Sequence, residues 1–220
     1  MAHLRPAAPL TPSFPSRLPA VGTTIFTVMS TLATEHQAIN LGQGFPDFQC
    51  DPALIDAVNQ AMVSGHNQYP PMPGVLELRK TIASKIDRLY GKSYDPASEI
   101  TITAGATQAI FTVILSCVSP GDEVIVIEPA FDCYLPAIHL AGGKAISVSL
   151  DVQRDSLGMV EGYAIPWTAL EKAITPKTRL LLINSPHNPT GMVWQRSDLD
   201  RLADLLSDTN VLVCSDEVYE

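Results

Sequence analysis

The feature that most limits the fold of this chain is an alternation in its second half, where short apolar runs take turns with helical stretches. EVIVI (123–127), AISVSL (145–150), RLLLIN (179–184) and VLVCS (211–215) are rich in β-branched and aliphatic residues and read as strands. EITIT (99–103) reads as another. Between them, helices are expected from about Gln108 to Val118, up to about Leu140, from Trp167 to Ile174 and from Gln195 to Leu206, with a loop from Asp151 to Pro166. Strands linked through helices need crossover connections, which implies a largely parallel sheet. Strands that are apolar on both faces agree, because a parallel sheet is covered on both sides. The expected fold class is therefore α/β, a mostly parallel sheet with helices on both faces.

Upstream, Asp51 and Pro52 open a helix whose Leu54, Val58, Ala61 and Met62 recur at helical spacing until Gly65. A second helix runs from about Val75 to Tyr90, and HNQYPPMPG (66–74) between them is a loop. The first twenty residues carry Pro6, Pro9, Pro12, Pro15 and Pro19 and read as an extended lead-in. The expected organisation is a proline-rich tail (1–20), an arm and loop segment (21–50) and a large domain (51–220). VLVCS ends five residues before the sequence does, with no helix to follow. Its uniform apolarity suits a covered strand rather than an edge, so the large domain reads as incomplete.

Composition removes several function classes. With 14 basic against 23 acidic residues the net charge is −9, which disfavours a phosphate-neutralising nucleic-acid surface. Charged residues make up 17% of the chain, below the usual share of about 25%, which argues against a disordered protein. No stretch approaches the ~18 unbroken apolar residues of a membrane span, and the start lacks a secretory signal. Cys50, Cys117, Cys133 and Cys214 form no CxxC pair, so a metal site or disulfide framework is not expected, and a reducing, cytoplasmic setting fits.

In open α/β sheets, ligands bind beyond the carboxyl ends of the strands. Four predicted strands end in polar or aromatic clusters: AGATQ (104–108), EPAFDCY (128–134), NSPHNPTG (184–191) and SDEVYE (215–220). A parallel sheet brings all four to one edge. AGATQ leads into a helix start, whose free N–H groups and dipole suit a phosphate, although such a turn is ordinary by itself. Asp216 follows a strand of buried character and needs a partner: a cationic heterocycle nitrogen, an arginine or a capping role. Phe131 is placed either to face a planar ring or to join the core. His187 reads as a bystander. LGQGF (41–45) could offer bare backbone N–H groups to an anion.

Together with NQYPPMPG (67–74), HNPTG (187–191) and DEVYE (216–220), these clusters resemble the N-terminal portion of the class I/II aminotransferases. That family uses pyridoxal 5′-phosphate (PLP) on a fold-type I scaffold. The resemblance extends from Gly22 to Glu220, and LGQGFPDF and PAFDCY are most similar to the methionine and kynurenine aminotransferase branch. It implies that Asp216 pairs with the pyridine nitrogen, and that Tyr219 and Asn188 hydrogen-bond the ring's phenolic oxygen. Phe131 would stack on the ring, and Ala106, Thr107 and Gln108 would contact the phosphate. Gly44 would meet the substrate carboxylate, Phe26 would line the side-chain pocket, and Tyr134 would lie near that pocket. Tyr69 would reach the neighbouring site of a homodimer. The implied reaction is transamination of an amino acid (methionine, aromatic or kynurenine-like) with a 2-oxo acid. A related PLP enzyme such as a cysteine-conjugate β-lyase shares these residues, and a non-catalytic phosphate-ligand module is the remaining rival. The family's Schiff-base lysine and its arginines lie downstream of DEVYE, so the chain alone is expected to be inactive.

Overall fold

A computed structural model describes residues 15–18, 21–44, 46 and 48–219. Most of the proline-rich start, together with Phe45, Asp47 and Glu220, lies outside the described residues. Three helices come first: α1 (Ile25–Glu35), α2 (Pro52–Val63) and α3 (Leu76–Tyr90). α2 starts as its residues dictate, with Asp51 Oδ1 accepting the Ala53 N–H at 2.8 Å and Pro52 at the first helical position. α3 ends at Gly91, whose φ of 65° suits glycine best. α1 was not anticipated. Its local signal is Thr24, whose Oγ1 accepts the Thr27 N–H at 3.3 Å ahead of IFTVMSTLATE.

The remaining elements are α4 (Gly105–Cys117), β1 (Glu123–Glu128), α5 (Tyr134–Ala141), β2 (Lys144–Ser149), β3 (Asp151–Arg154), β4 (Val160–Ala164), α6 (Trp167–Ala173), β5 (Thr178–Asn184), α7 (Arg196–Leu206) and β6 (Leu212–Asp216). The main sheet has the order β2-β1-β5-β6 and all its pairings are parallel. Ile125 pairs with both Ile146 and Leu181, and Leu182 pairs with Cys214, so all four strands point the same way.

Strand alternation explains why the runs are apolar throughout. Val124, Val126, Leu180 and Leu182 face one side and pack with Ile110 and Ile114 of α4 and Ala137 and Ile138 of α5. Ile125, Ile127, Leu181 and Ile183 face the other and pack with Leu170 of α6, Leu202 of α7 and Trp194. Each fully buried aliphatic side chain contributes roughly 1.5–3 kcal/mol, so both faces are needed to hold the sheet.

Two expectations are corrected. Residues 99–103 form no strand. Among the described residues they have no strand neighbour, and the Ile102 N–H donates instead to the Pro73 carbonyl at 3.0 Å, tying the segment to the 66–74 loop. The expected 151–166 loop contains an antiparallel ribbon, with Asp151 opposite Ala164 and Val152 opposite Tyr163. Its turn closes on Asp155, whose Oδ1 accepts the N–H groups of Leu157 and Met159 at 2.9 and 2.8 Å. β6 borders only β5 among the described residues, and its apolar Leu212 and Val213 are about half exposed, which agrees with the expectation that the large domain is incomplete.

Candidate active site

The carboxyl ends of β1, β5 and β6 and the start of α4 enclose a cavity of about 240 Å³. Its wall consists of Ala104, Gly105, Ala106, Thr107 and Ile110, then Phe131, Asn184 and Asn188, then Asp216, Val218 and Tyr219. Each of the four clusters named from the sequence contributes. AGATQ does so although no strand precedes it, because α4 itself packs on the sheet through Ile110 and Ile114.

α4 begins at Gly105, and Ala104 before it offers no side-chain cap. The first N–H groups of a helix have no intrahelical acceptor, so those of Ala106 and Thr107 are available at the cavity wall. The side chain of Gln108 is folded back, its Oε1 accepting the Ala104 N–H, and it does not line the cavity.

Asp216 terminates β6. The Val218 N–H donates to its Oδ1 at 3.2 Å, and the Tyr134 hydroxyl donates to its Oδ2 at 2.6 Å. Tyr134, whose side chain is 3% exposed, is thus beneath the carboxylate and not among the wall residues. Burial, and then the adjacent Asp216, push its hydroxyl pKa far up, so the phenol keeps its proton. Burial also raises the Cys133 thiol to about 11, helped by the charges of Asp132 and Asp216. The Cys214 thiol is raised as well, first by burial and then by Asp216. Both thiols therefore stay neutral next to the carboxylate.

The opposite wall is fastened by Asn184, buried at the end of β5. Its Nδ2 donates to the Asp216 carbonyl at 2.8 Å, and its Oδ1 accepts the Asn188 N–H at 2.7 Å. Asn188 Nδ2 in turn donates to Tyr219 Oη at 3.2 Å. Sequence reasoning passed over Asn184, although a polar residue closing the run RLLLI was a usable signal. His187 is buried, with Nδ1 2.8 Å from Thr190 Oγ1, and burial lowers its pKa. Its place is in the turn that presents Asn188, which suits a structural role.

Phe131 lines the cavity and meets Tyr134 edge-on, with ring centroids 6.1 Å apart. Three other sequence-predicted residues are not part of this wall. Phe26 lines a separate hollow with Ser30 and Gln43, Gly44 is exposed, and Tyr69 is fully exposed. Among the described residues, no lysine or arginine lines the cavity, and none of the groups of His, Cys, Asp and Glu could hold a metal ion.

A mainly parallel α/β scaffold thus gathers an uncapped helix start, a carboxylate and two hydrogen-bonding side chains around one cavity at its strand ends. Residues 36–220 match the model of the aminotransferase class I and II family, and the chain belongs to that family. A probable N-succinyldiaminopimelate aminotransferase of Mycobacterium tuberculosis is 45% identical over 93% of the chain and 50% of its own length. The methionine aminotransferase of Escherichia coli is 44% identical over 96% of the chain and 52% of its own length. Human kynurenine–oxoglutarate transaminase 1 is 40% identical over 86% of the chain and 46% of its own length. Solved structures of an N-succinyldiaminopimelate aminotransferase from Mycobacterium tuberculosis and a methionine aminotransferase from Escherichia coli superpose with TM-scores of 0.86 and 0.85, each covering 94% of this chain and 52% of theirs. The chain thus spans about half the length of the relatives it matches. Class I and II aminotransferases are PLP-dependent, and PLP is the cofactor of this family. Among the described residues, no helix is long and apolar enough to cross a membrane.

Proposed function

We propose that the whole protein exchanges an amino group between an amino acid and a 2-oxo acid, with this chain supplying most of the cofactor's cradle. One observation carries the reading. An uncapped helix start, an ionisable carboxylate and an amide–phenol pair line a single cavity with an aromatic ring. That donor set fits PLP, which has a phosphate, a basic ring nitrogen, a phenolic oxygen and a flat face. The cavity volume, below the ~300 Å³ at which drug-sized pockets begin, suits a single-ring ligand.

PLP, when bound, supplies an electron-poor ring that takes up the electron pair left on the substrate Cα after proton loss. The rest is the work of the chain. Asp216 holds a proton on the ring nitrogen. Asn188 and Tyr219 hydrogen-bond the phenolic oxygen. Phe131 covers the ring and keeps water from it. The N–H groups of Ala106 and Thr107, with the Gln108 backbone behind them, take the phosphate. Gly44 receives the substrate carboxylate, Phe26 borders the side-chain pocket, and Tyr69 serves the site of a second copy in a homodimer. The amino donor belongs to the methionine, aromatic or kynurenine-like classes, which the names of the relatives support. None of Lys80, Lys85, Lys92, Lys144, Lys172 or Lys177 takes the Schiff-base role. The chain by itself therefore does not turn over, and the protein acts in the cytoplasm.

The deciding experiment incubates the whole protein, PLP and a panel of amino acids with a 2-oxo acid and follows the new 2-oxo acid by mass spectrometry. Transfer of the amino nitrogen supports the reading. Release of pyruvate and ammonia without transfer would favour a β-lyase, and no PLP binding at all would sink both.

A further inference from the structure

We infer that Tyr134 is the positioning residue for Asp216, holding its carboxylate aimed at the ring nitrogen from beneath, and is not a substrate contact. The inference rests on the PLP reading above. Three observations support it.

First, the Tyr134 hydroxyl donates to Asp216 Oδ2 at 2.6 Å, a short bond of the charge-assisted kind. Among the described residues the only other donor to that carboxylate is the Val218 N–H, on Oδ1, at a longer 3.2 Å. Together they fix the carboxylate plane at two points and leave each oxygen a free lone pair. Second, Tyr134 sits at the start of α5, 82 residues before its partner, in the core cluster with Ile110, Ala137 and Leu180. Its side chain is 3% exposed, so its position is set by packing and it cannot follow a ligand. Third, an ionised phenol there would stand against a carboxylate in a buried place, so burial and Asp216 both keep the proton on Tyr134. The residue is a permanent donor and cannot become a base.

The chemical consequence follows from the partner groups. The half-buried Cys133 and Cys214 thiols nearby stay neutral, so neither adds a negative charge beside Asp216. Without the phenol, the carboxylate would keep one longer donor bond and rotate more freely. A carboxylate free to turn no longer presents its oxygen squarely to the ring nitrogen.

The test compares two probes in the whole protein, neither of which needs a Schiff-base lysine. One is pyridoxamine 5′-phosphate. The other is its 1-deaza analogue, which carries C–H in place of the ring nitrogen. Tyr134→Phe keeps the ring and its packing while removing the donor. It should weaken pyridoxamine 5′-phosphate about tenfold, in line with the loss of a charge-assisted hydrogen bond, and leave the analogue's affinity unchanged. An equal loss for both probes, or no loss for either, overturns the inference. If Tyr134→Phe does not fold, 3-fluorotyrosine at position 134 keeps the shape and alters the donor strength. The ratio of the two affinities should then move, and an unmoved ratio overturns the inference. Failure of the wild-type protein to bind pyridoxamine 5′-phosphate would instead overturn the PLP reading itself.

Discussion

The chain has two unlike regions. From Ile110 to Leu202 lies every buried apolar residue among those described, arranged on both sides of a four-stranded sheet. From Val21 to Thr103 the only buried residue among those described is Arg79. α1 and α2 bury none of their residues, and Ile25, Met29, Leu54, Val58 and Met62 are each more than two-fifths exposed. The difference separates patterning from packing. The apolar stripe of α2 is as regular as that of α4, yet only α4 has a sheet to lie on. Its one buried side chain among the described residues makes a polar clamp: Arg79 Nε donates to the Gly74 carbonyl at 3.2 Å, and its Nη1 donates to the Ala97 carbonyl at 3.2 Å and to that of Pro96.

The contrast can be broken or sharpened by measurement, beginning with the largest effect. Asp216→Asn in the whole protein should leave PLP bound and lower kcat roughly 10²–10³-fold, the usual loss for a preorganised electrostatic group. Near-normal turnover would detach the sheet region from the chemistry. Ile114→Ala should cost about 2–5 kcal/mol in denaturant unfolding, because Ile114 is fully buried. Val58→Ala on α2 should change stability by less than about 0.5 kcal/mol in a monomer. If the Val58 loss instead grows and depends on protein concentration, a second copy covers α2 and the contrast disappears on assembly.

Gly74→Ala probes the clamp. Gly74 has φ 97°, and an added Cβ would meet Ile102 Cβ at 2.6 Å. A loss of about 1–3 kcal/mol is expected from combined strain and overpacking. A neutral result would show that the 66–74 loop lifts away from residues 99–103. The smallest effect belongs to His187. Burial lowers its pKa below the ordinary 6.5, so the unfolded chain binds the proton more readily. Its contribution is complete above about pH 6.5 and is lost as pH falls through the lower folded value. Melting curves between pH 7.5 and 5.5 should therefore drop more steeply for the wild type than for His187→Gln. Parallel slopes would mean the imidazole is not held neutral.

Sheet order and strand identity were readable where both faces of a strand are covered, because EVIVI and RLLLIN then carry apolar residues at every position. Legibility failed where an element depends on a remote partner. EITIT has the composition of a strand but no neighbour among the described residues. The β3–β4 ribbon is exposed along β3 and the start of β4 and shows no apolar alternation, so only the Asp155 turn could have revealed it. At the site, residues that face the cavity (Asp216, Asn188, Thr107) stood out as polar breaks after apolar runs. Tyr134 and Asn184 act on those residues from behind, and nothing in local spacing tells which side of a wall a side chain occupies.

Asn184 carries a consequence for anyone redesigning this pocket. One carboxamide grips the backbone at the end of β6 with its nitrogen and the Asn188 backbone with its oxygen. Swapping either loop for that of a relative with a different amino-acid preference cannot be done piecemeal. A shift in one wall is carried to the other through a rigid group a few atoms long, so the two loops should be transplanted as a unit.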